Sequence, residues 1–433
     1  MKFINELKWR ELIFDKTPGV EDFFSNEKVT GYVGFDPTSK SLHVGNLLPI
    51  MNLVRLQKYG HTPIALVGGG TGLIGDPSGK SEERKILTDV QIEENLDSIE
   101  NQLKKFLDFD NKLSNKALLL NNAKWLKEIS LINFLRDTGK HFTVNYMLKK
   151  ESVKSRVSRE TGISFTEFSY MTLQAFDFLY LYENYNCKLQ MGGSDQMGNI
   201  LAGVDLINKK NPGPKTYLAH GIVFPLITSS SGEKFGKTAG EAPTLDPQKT
   251  SAYKLYQFFI NTPDQDVINY LKYFTDLNLD EINDIKQELI SDPKKRSAQR
   301  MLADNLIEIV HGKDGLSEAK KITEYFFNEN YNDLSEQNIL DLSESFPSFE
   351  EDKSITESKI NLGKFLTDNN VFNSMSEMRR MFDQGAVYIN GNRIADNQTI
   401  LSKDLFLQGK FMIIRLGSKK YYLTVLKWHK ILP

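Results

Sequence analysis

A chain of 433 residues exceeds the ~250–300 residues that one hydrophobic core can organise, so two or three domains are expected. With 40% hydrophobic and 25% charged residues it is neither disordered nor fibrous, and no apolar run approaches the ~20 residues of a membrane span. A formal net charge of −2 excludes attraction of the whole molecule to phosphate, so any nucleic acid must be held by local patches.

The N-terminal stretch carries Glu6 and Glu11 among its apolar residues and has neither a secretory block nor the acid-free, arginine-rich pattern of a transit peptide. A cytoplasmic protein is expected. Strand-like and helix-like stretches then alternate, as a parallel α/β sheet requires. Thr30 to Phe35 and Pro63 to Val67 predict short buried strands. Between them the spacing of Leu47, Ile50, Leu53, Val54 and Leu56 predicts a helix over 46–58, with Pro49 in its first turn. That helix starts directly after His43-Val44-Gly45. A second amphipathic helix is predicted over 93–107. Cys187, the only cysteine, excludes an internal disulfide and a thiolate-rich zinc site, and fits a reducing compartment.

Beyond about residue 248 strand signals fade, and helical stretches at 253–260, 265–274 and 297–311 predict an α-helical domain reaching 340. The segment 341–357, rich in Ser, Asp and Glu and containing Pro347, reads as a linker. A third module follows over 358–433. In it Ser374 and Glu377 form a capping box for a helix that carries Arg379 and Arg380 and stops at Gly385, and Val387 and Ile389 lead into an Asn390-Gly391 hairpin turn. From 403 onward Lys403, Lys410, Arg415, Lys419, Lys420, Lys427 and Lys430 face a single acid, Asp404, with Phe406, Phe411, Tyr421, Tyr422 and Trp428 interleaved. This is either a nucleic-acid surface or a solvated basic strand.

Three segments are suited to a nucleotide. Gly34-Phe35-Asp36-Pro37-Thr38 with His43-Val44-Gly45-Asn46 joins a strand end to a helix start, where free N–H groups attract phosphate. The glycine-rich run 68–80 contains Gly70-x-Gly72-x-x-Gly75, but Asp76-Pro77 breaks the chain where a dinucleotide fingerprint needs its helix to continue. Gly79-Lys80-Ser81 resembles the end of a P-loop, yet Ile74 stands where that loop needs glycine. Lys234-Phe235-Gly236-Lys237-Thr238 could swing two cations onto a triphosphate. Taken singly, each segment is equally at home as a turn or a solvated loop.

In order and setting, His43-Val44-Gly45-Asn46 and Lys234-Phe235-Gly236-Lys237-Thr238 resemble the two signature motifs of class I aminoacyl-tRNA synthetases. Gly31 to Thr38, Gly162 to Tyr170 and Gly192 to Asn199 are similar to the tyrosyl-tRNA synthetases of bacterial type, and the likeness runs to the C-terminus. The resemblance implies a Rossmann-like parallel-sheet catalytic domain over 1–247, an α-helical anticodon-side domain over 248–340 and, after the linker, a small α+β S4-like RNA-binding domain over 358–433. It implies ATP as substrate with Mg²⁺, no bound organic cofactor and no zinc. Tyrosine and its tRNA are the implied partners, together with a second copy of the chain in a homodimer. It further implies that Thr38, His43, Lys80, Arg84, Lys234, Lys237 and Thr238 hold the phosphates, with Asp36, Gly45 and Asn46 around the ATP. Tyr32 and Asp177 would read the phenol, Asp76, Tyr170 and Gln174 the ammonium, and Gln196 the carboxylate. Asp195 would meet the ribose, and Gly34 and Gly193 would allow close approach.

Three residues depart from the family's pattern. Val33 stands where many relatives have a cysteine able to reach the ribose, Asn46 replaces the motif's second histidine, and Met197 replaces a common tryptophan. Two rival readings are activation of tryptophan and a non-catalytic RNA-binding protein. Tyr32 with Asp177 argues against the first, and retention of Lys234 and Lys237 against the second.

Overall fold

The computed structural model describes residues 2–26, 28–37, 39–76, 88–110, 112–150, 153–154, 157, 162–213, 217–230, 232, 235–236, 242–343, 346–417 and 420–427. They fall into two compact units, one formed by 1–249 with 260–310 and the other by 250–259 with 311–433.

The first unit is built on six strands: β1 (Asp15–Lys16), β2 (Thr30–Phe35), β3 (Thr62–Val67), β4 (Leu118–Asn121), β5 (Cys187–Gly193) and β6 (His220–Phe224), in the order β1-β6-β5-β2-β3-β4. All neighbours are parallel except β1 and β6. The chain winds outward from β2 through β3 to β4, then returns to place β5 on the other side of β2. The sheet's order therefore reverses between β2 and β5, and ligands of open α/β sheets bind at the carboxyl ends of the strands at such a point. Apolar runs on the central strands are buried on both faces. A β-carbon on Gly31 would crowd Leu189 and Leu56, whereas Tyr32 packs edge-on against Phe178 of the helix Phe165–Tyr185. The expected helix over 46–58 forms as Leu47–Lys58 after a 3-10 turn Val44–Asn46. The helix expected over 93–107 instead runs Asp89–Leu103, because Thr88 and Gln91 cap it earlier than the apolar spacing reveals.

Helices Asp264–Phe274 and Leu279–Ser291 also belong to this unit. Arg10 and Arg55, both fully buried, donate to the carbonyls that end the first of them: Arg10 to Lys272 (2.7 Å), Thr275 and Leu277, Arg55 to Tyr273 (2.8 Å) and Thr275. Glu6 Oε1 accepts from Arg10 Nε at 2.7 Å and balances the charge. Cations at a helix C-terminus satisfy its orphan carbonyls and its dipole together.

The second unit carries a five-stranded sheet, β7 (Ser348–Asp352), β8 (Val387–Ile389), β9 (Asn392–Arg393), β10 (Phe411–Leu416) and β11 (Lys420–Lys427), in the order β7-β11-β10-β8-β9. Alternate residues of β10 serve two cores. Met412, Ile414 and Leu416 face a cluster with Leu362, Phe365 and Phe382, whereas Phe411 and Ile413 face one with Ile322, Tyr331 and Ile339. Asn390 and Gly391 both have positive φ (48° and 82°), as the predicted hairpin turn demands. Two local expectations are corrected. Residues 348–352, read as linker, form β7 parallel to β11; Phe349 is their only apolar residue, so no alternation marked the strand. Ser374 does cap Met375–Asp383 by accepting from Glu377 N at 3.1 Å, but the Glu377 carboxylate reaches past it to Asn373 N at 2.9 Å, so the box closes one residue early.

Candidate active site

At the reversal point, residues of β2, of β5 and of the segments that follow each strand line a cavity of about 930 Å³. Its most buried wall holds Asp177, which projects from an otherwise apolar helix and is 2% exposed. Its two oxygens accept separately, from Asn122 Nδ2 at 2.9 Å and from Trp125 Nε1 at 2.7 Å. Burial pushes this carboxyl up to about 7, against the pull of those two hydrogen bonds and with a smaller push from Asp36. Tyr32 lies in the same wall, and its hydroxyl makes no hydrogen bond among the described residues. Burial, then nearby Asp177 and Cys187, hold that phenol well above its ordinary range.

A chain of hydrogen bonds leads from Asp177 across the cavity. Asn122 Nδ2 also donates to Thr71 Oγ1 (2.9 Å), Thr71 Oγ1 donates to Asp36 Oδ1 (3.2 Å), and Tyr170 OH donates to Asp36 Oδ2 (3.3 Å). A second network gathers Gln174, Gln196, Asp76 and Asn199. Gln196 Nε2 donates to Asp76 Oδ2 at 2.8 Å while its Oε1 accepts from Gln174 at 3.2 Å, and Asn199 donates to Gln174 Oε1 at 2.9 Å. Tyr170 and Gln174, one helical turn apart, thus serve different networks. Polar groups tied this way are pre-set rather than free to collapse on one another.

His43 stands at the start of the 3-10 turn. Its Nδ1 accepts from Gly45 N at 2.9 Å, and its own N–H donates to Asn46 Oδ1 at 3.0 Å. In the neutral ring the proton therefore sits on Nε2, which makes His43 a donor. A β-carbon on Gly45 would lie 2.6 Å from the His43 ring, so only glycine permits this cap. Asn46, with its carbonyl engaged, keeps its amide N–H groups as donors. Gly34, exposed in β2, has open space where a side chain would stand, and so leaves the backbone open to a ligand. Gly193, the last residue of β5, and Asp195 just after it line the same cavity.

The segment from 242 to 245 runs beside 42–44, with Val44 N donating to Pro243 O (3.0 Å) and Leu245 N to Leu42 O (2.8 Å). Gly236 lies against Val44, and Phe235 anchors its own side by stacking on Phe274 at 5.1 Å. Gly236, between the two lysines, and the segment that follows the stretch therefore both reach the His43 turn. Thr38, Lys80, Arg84, Lys234, Lys237 and Thr238 themselves lie outside the described residues. The site also includes Asn122, Trp125, Thr71, Gln190 and Asn199, which the sequence reading did not single out. Asn121-Asn122 at the end of an apolar strand, and Gln190 within one, were the available signals.

The family model for class I tRNA synthetases (W and Y) matches residues 25–328, and that for the tyrosine–tRNA ligase SYY-like C-terminal domain matches 338–424. The tyrosine–tRNA ligase of Roseiflexus castenholzii is 47% identical over 97% of this chain and 98% of its own, and that of Bacillus caldotenax is 47% identical over 98% and 99%. A C-terminally truncated mitochondrial tyrosyl-tRNA synthetase from Aspergillus nidulans superposes with a TM-score of 0.67 at 35% identity, covering 75% of this chain and 94% of its own. With its strand order, its cavity at the reversal point and these full-length likenesses, the chain belongs to the class I tRNA synthetases of the tryptophan and tyrosine group, on the tyrosine–tRNA ligase branch.

Proposed function

We propose that this chain activates tyrosine with ATP and transfers it to the 3′ end of its tRNA, with the cavity at β2 and β5 as the site of both steps. The observation that carries the reading is the buried carboxylate of Asp177, held from two sides, in one wall with an unpartnered Tyr32 hydroxyl. A phenol serves both, accepting from Tyr32 and donating to Asp177; phenylalanine would leave the Tyr32 hydroxyl without an acceptor and offer Asp177 no donor beyond Asn122 and Trp125. Rejection on those grounds reaches ~10⁵-fold in the handful of sites built this way, this enzyme family being the standard example.

The remaining residues then take their roles. Asp76, Tyr170 and Gln174 meet the ammonium, and Gln196 the carboxylate. Asp195 meets the ribose, and Gly34 and Gly193 admit the nucleotide. The tyrosine carboxylate attacks the α-phosphorus, the bond to the bridging oxygen breaks, and pyrophosphate leaves with Mg²⁺, which enters as part of the ATP substrate. No protein nucleophile is required. His43 and Asn46 donate to phosphate oxygens, and Thr38, Lys80, Arg84, Lys234, Lys237 and Thr238 stabilise charge as it develops. A ribose hydroxyl of the tRNA then attacks the tyrosyl carbonyl and AMP leaves.

The C-terminal module acts as an S4-like RNA-binding domain and the working form is a cytoplasmic homodimer. Supporting the dimer, Leu131, Ile132, Leu135, Val144, Leu148 and Phe165 are all exposed in one stretch of the first unit. Pyrophosphate exchange into ATP, driven in turn by each of the twenty amino acids, tests the reading. Tyrosine alone should drive it; exchange driven by tryptophan, or none, overturns it.

A further inference from the structure

One face of the helix Asp264–Phe274 meets the lysine-bearing stretch. Asp266, Tyr270 and Phe274 follow one another at intervals of four residues, so their side chains line up along the helix. Phe235 packs edge-on against Tyr270, with ring centroids 4.8 Å apart, and stacks on Phe274. The buried carboxylate of Asp266 accepts from Ser230: the backbone N–H lies 3.1 Å from each oxygen, and the hydroxyl 3.1 Å from Oδ2. An acid three residues after an N-cap ordinarily returns a hydrogen bond to the N-cap N–H. Here the N-cap is Pro263, which has no N–H to offer. The helix dipole favours an acid in this turn wherever its oxygens point, so it does not explain the choice of Ser230.

The far end of the same helix is held by Arg55, which projects from the helix that begins at the His43 turn. One element thus ties two distant segments into a common frame: the His43 turn through Arg55, and the lysine-bearing stretch through Asp266, Tyr270 and Phe274. Phe235 N also donates to Ile227 O at 2.9 Å, and both residues line the cavity. In the chain Lys234 is bonded to Phe235, and Lys237 to Gly236. Resting on the assignment of those two lysines to the triphosphate, we propose that Asp266 is a positioning residue for adenylate formation: by holding Ser230 it sets where the stretch that bears them begins. It touches no substrate and acts through the lysines.

The test is Asp266→Ala, with tyrosyl-adenylate formation followed in single turnover at saturating tyrosine and ATP. The rate constant should fall about tenfold to a hundredfold, as small misplacements of charge-stabilising groups cause, while Kd for tyrosine by equilibrium dialysis stays unchanged. Asp266→Asn keeps an oxygen for Ser230 N and offers an amide N–H to Ser230 Oγ, so it should restore most of the rate. In a chain carrying Lys234→Ala and Lys237→Ala, Asp266→Ala should slow the step no further, because the groups it positions are gone. The inference is overturned by an unchanged rate in Asp266→Ala, by Asp266→Asn no faster than Asp266→Ala, by tyrosine binding that weakens in step with the rate, or by equal fold losses with and without the lysines. If instead removal of both lysines leaves the rate of the unaltered chain, it is their assignment to the triphosphate that fails.

Discussion

Asp177 carries a pH dependence whose sign follows from its surroundings. Its carboxyl titrates near 7 in the fold against an ordinary 3.8, because burial penalises the charge. A folded value above the unfolded one favours the protonated fold, so the ligand-free chain loses this contribution as pH rises from about 4 to about 7. Tyrosine binding runs the other way. A phenol donates more strongly to a carboxylate than to a carboxylic acid, so kcat/KM for tyrosine, taken relative to phenylalanine, should rise through pH 7 and level off above it. Asp177→Asn should flatten that profile. It should also turn an amide N–H toward Asn122 or Trp125, leaving a donor unpaired at a cost of about 1–3 kcal/mol in unfolding free energy. A tyrosine-to-phenylalanine ratio independent of pH in the unaltered chain would remove Asp177 from phenol recognition. In the sequence alone Asp177 was already conspicuous, as a charge in an apolar helix that needs partners. The partners were not legible. Asn122 and Trp125 lie more than fifty positions away and meet Asp177 only because β4 ends beside β3.

Single elements show where periodicity informs and where it misleads. The helix Leu131–Asp137 buries Phe134 yet exposes Leu131 (67%), Ile132 (70%) and Leu135 (47%), so it is apolar on more than the face its own unit covers. Scattered exposed apolar side chains need no explanation, but three on one helix of seven residues, with Val144, Leu148 and Phe165 also exposed further along the chain, call for cover. A second copy of the chain is the occupant that the proposed homodimer provides. Ile132→Asp should therefore halve the mass measured by sedimentation at micromolar concentration, from twice the chain mass to once, and an unaltered chain already monomeric there would dismiss this face as a dimer surface. Elements whose signal is local, such as the Asn390-Gly391 turn and the helix after His43, were legible in advance. β7 was not, since its place is set by pairing to β11 some seventy-five residues away rather than by its own residues.

At the scale of the whole molecule, the basic C-terminal surface is smaller than a count along the chain implies. Arg415 pairs with Glu329 at 2.8 Å and stacks on Tyr388, Lys410 pairs with Glu336 at 2.8 Å, and Lys427 pairs with Glu350 at 2.6 Å. Those acids come from outside the segment where the cations were counted, and folding brings them in. Among the described residues Lys420 lines a cleft of about 500 Å³ with Arg380, Tyr422, Asn373 and the acid Glu377, and this cleft is the surface on which the proposed RNA contact is tested. Deleting the module from residue 358 would be a poor test of its role. It would strip β11 from β7 and uncover Ile322, Tyr331, Leu334, Ile339 and Leu342, whose core includes Phe411, Ile413, Leu423 and Val425. The pair Arg380→Ala and Lys420→Ala alters charge at exposed positions and leaves both cores intact. For each of the two cations that grips a phosphate, its removal should make the log–log dependence of tRNA affinity on salt shallower by about 1, and aminoacylation should suffer through KM for tRNA. Pyrophosphate exchange with tyrosine serves as the internal reference, since that step uses no tRNA. An unchanged salt slope would leave this cleft without a part in tRNA binding, and a parallel loss of exchange would trace the effect to folding rather than to RNA.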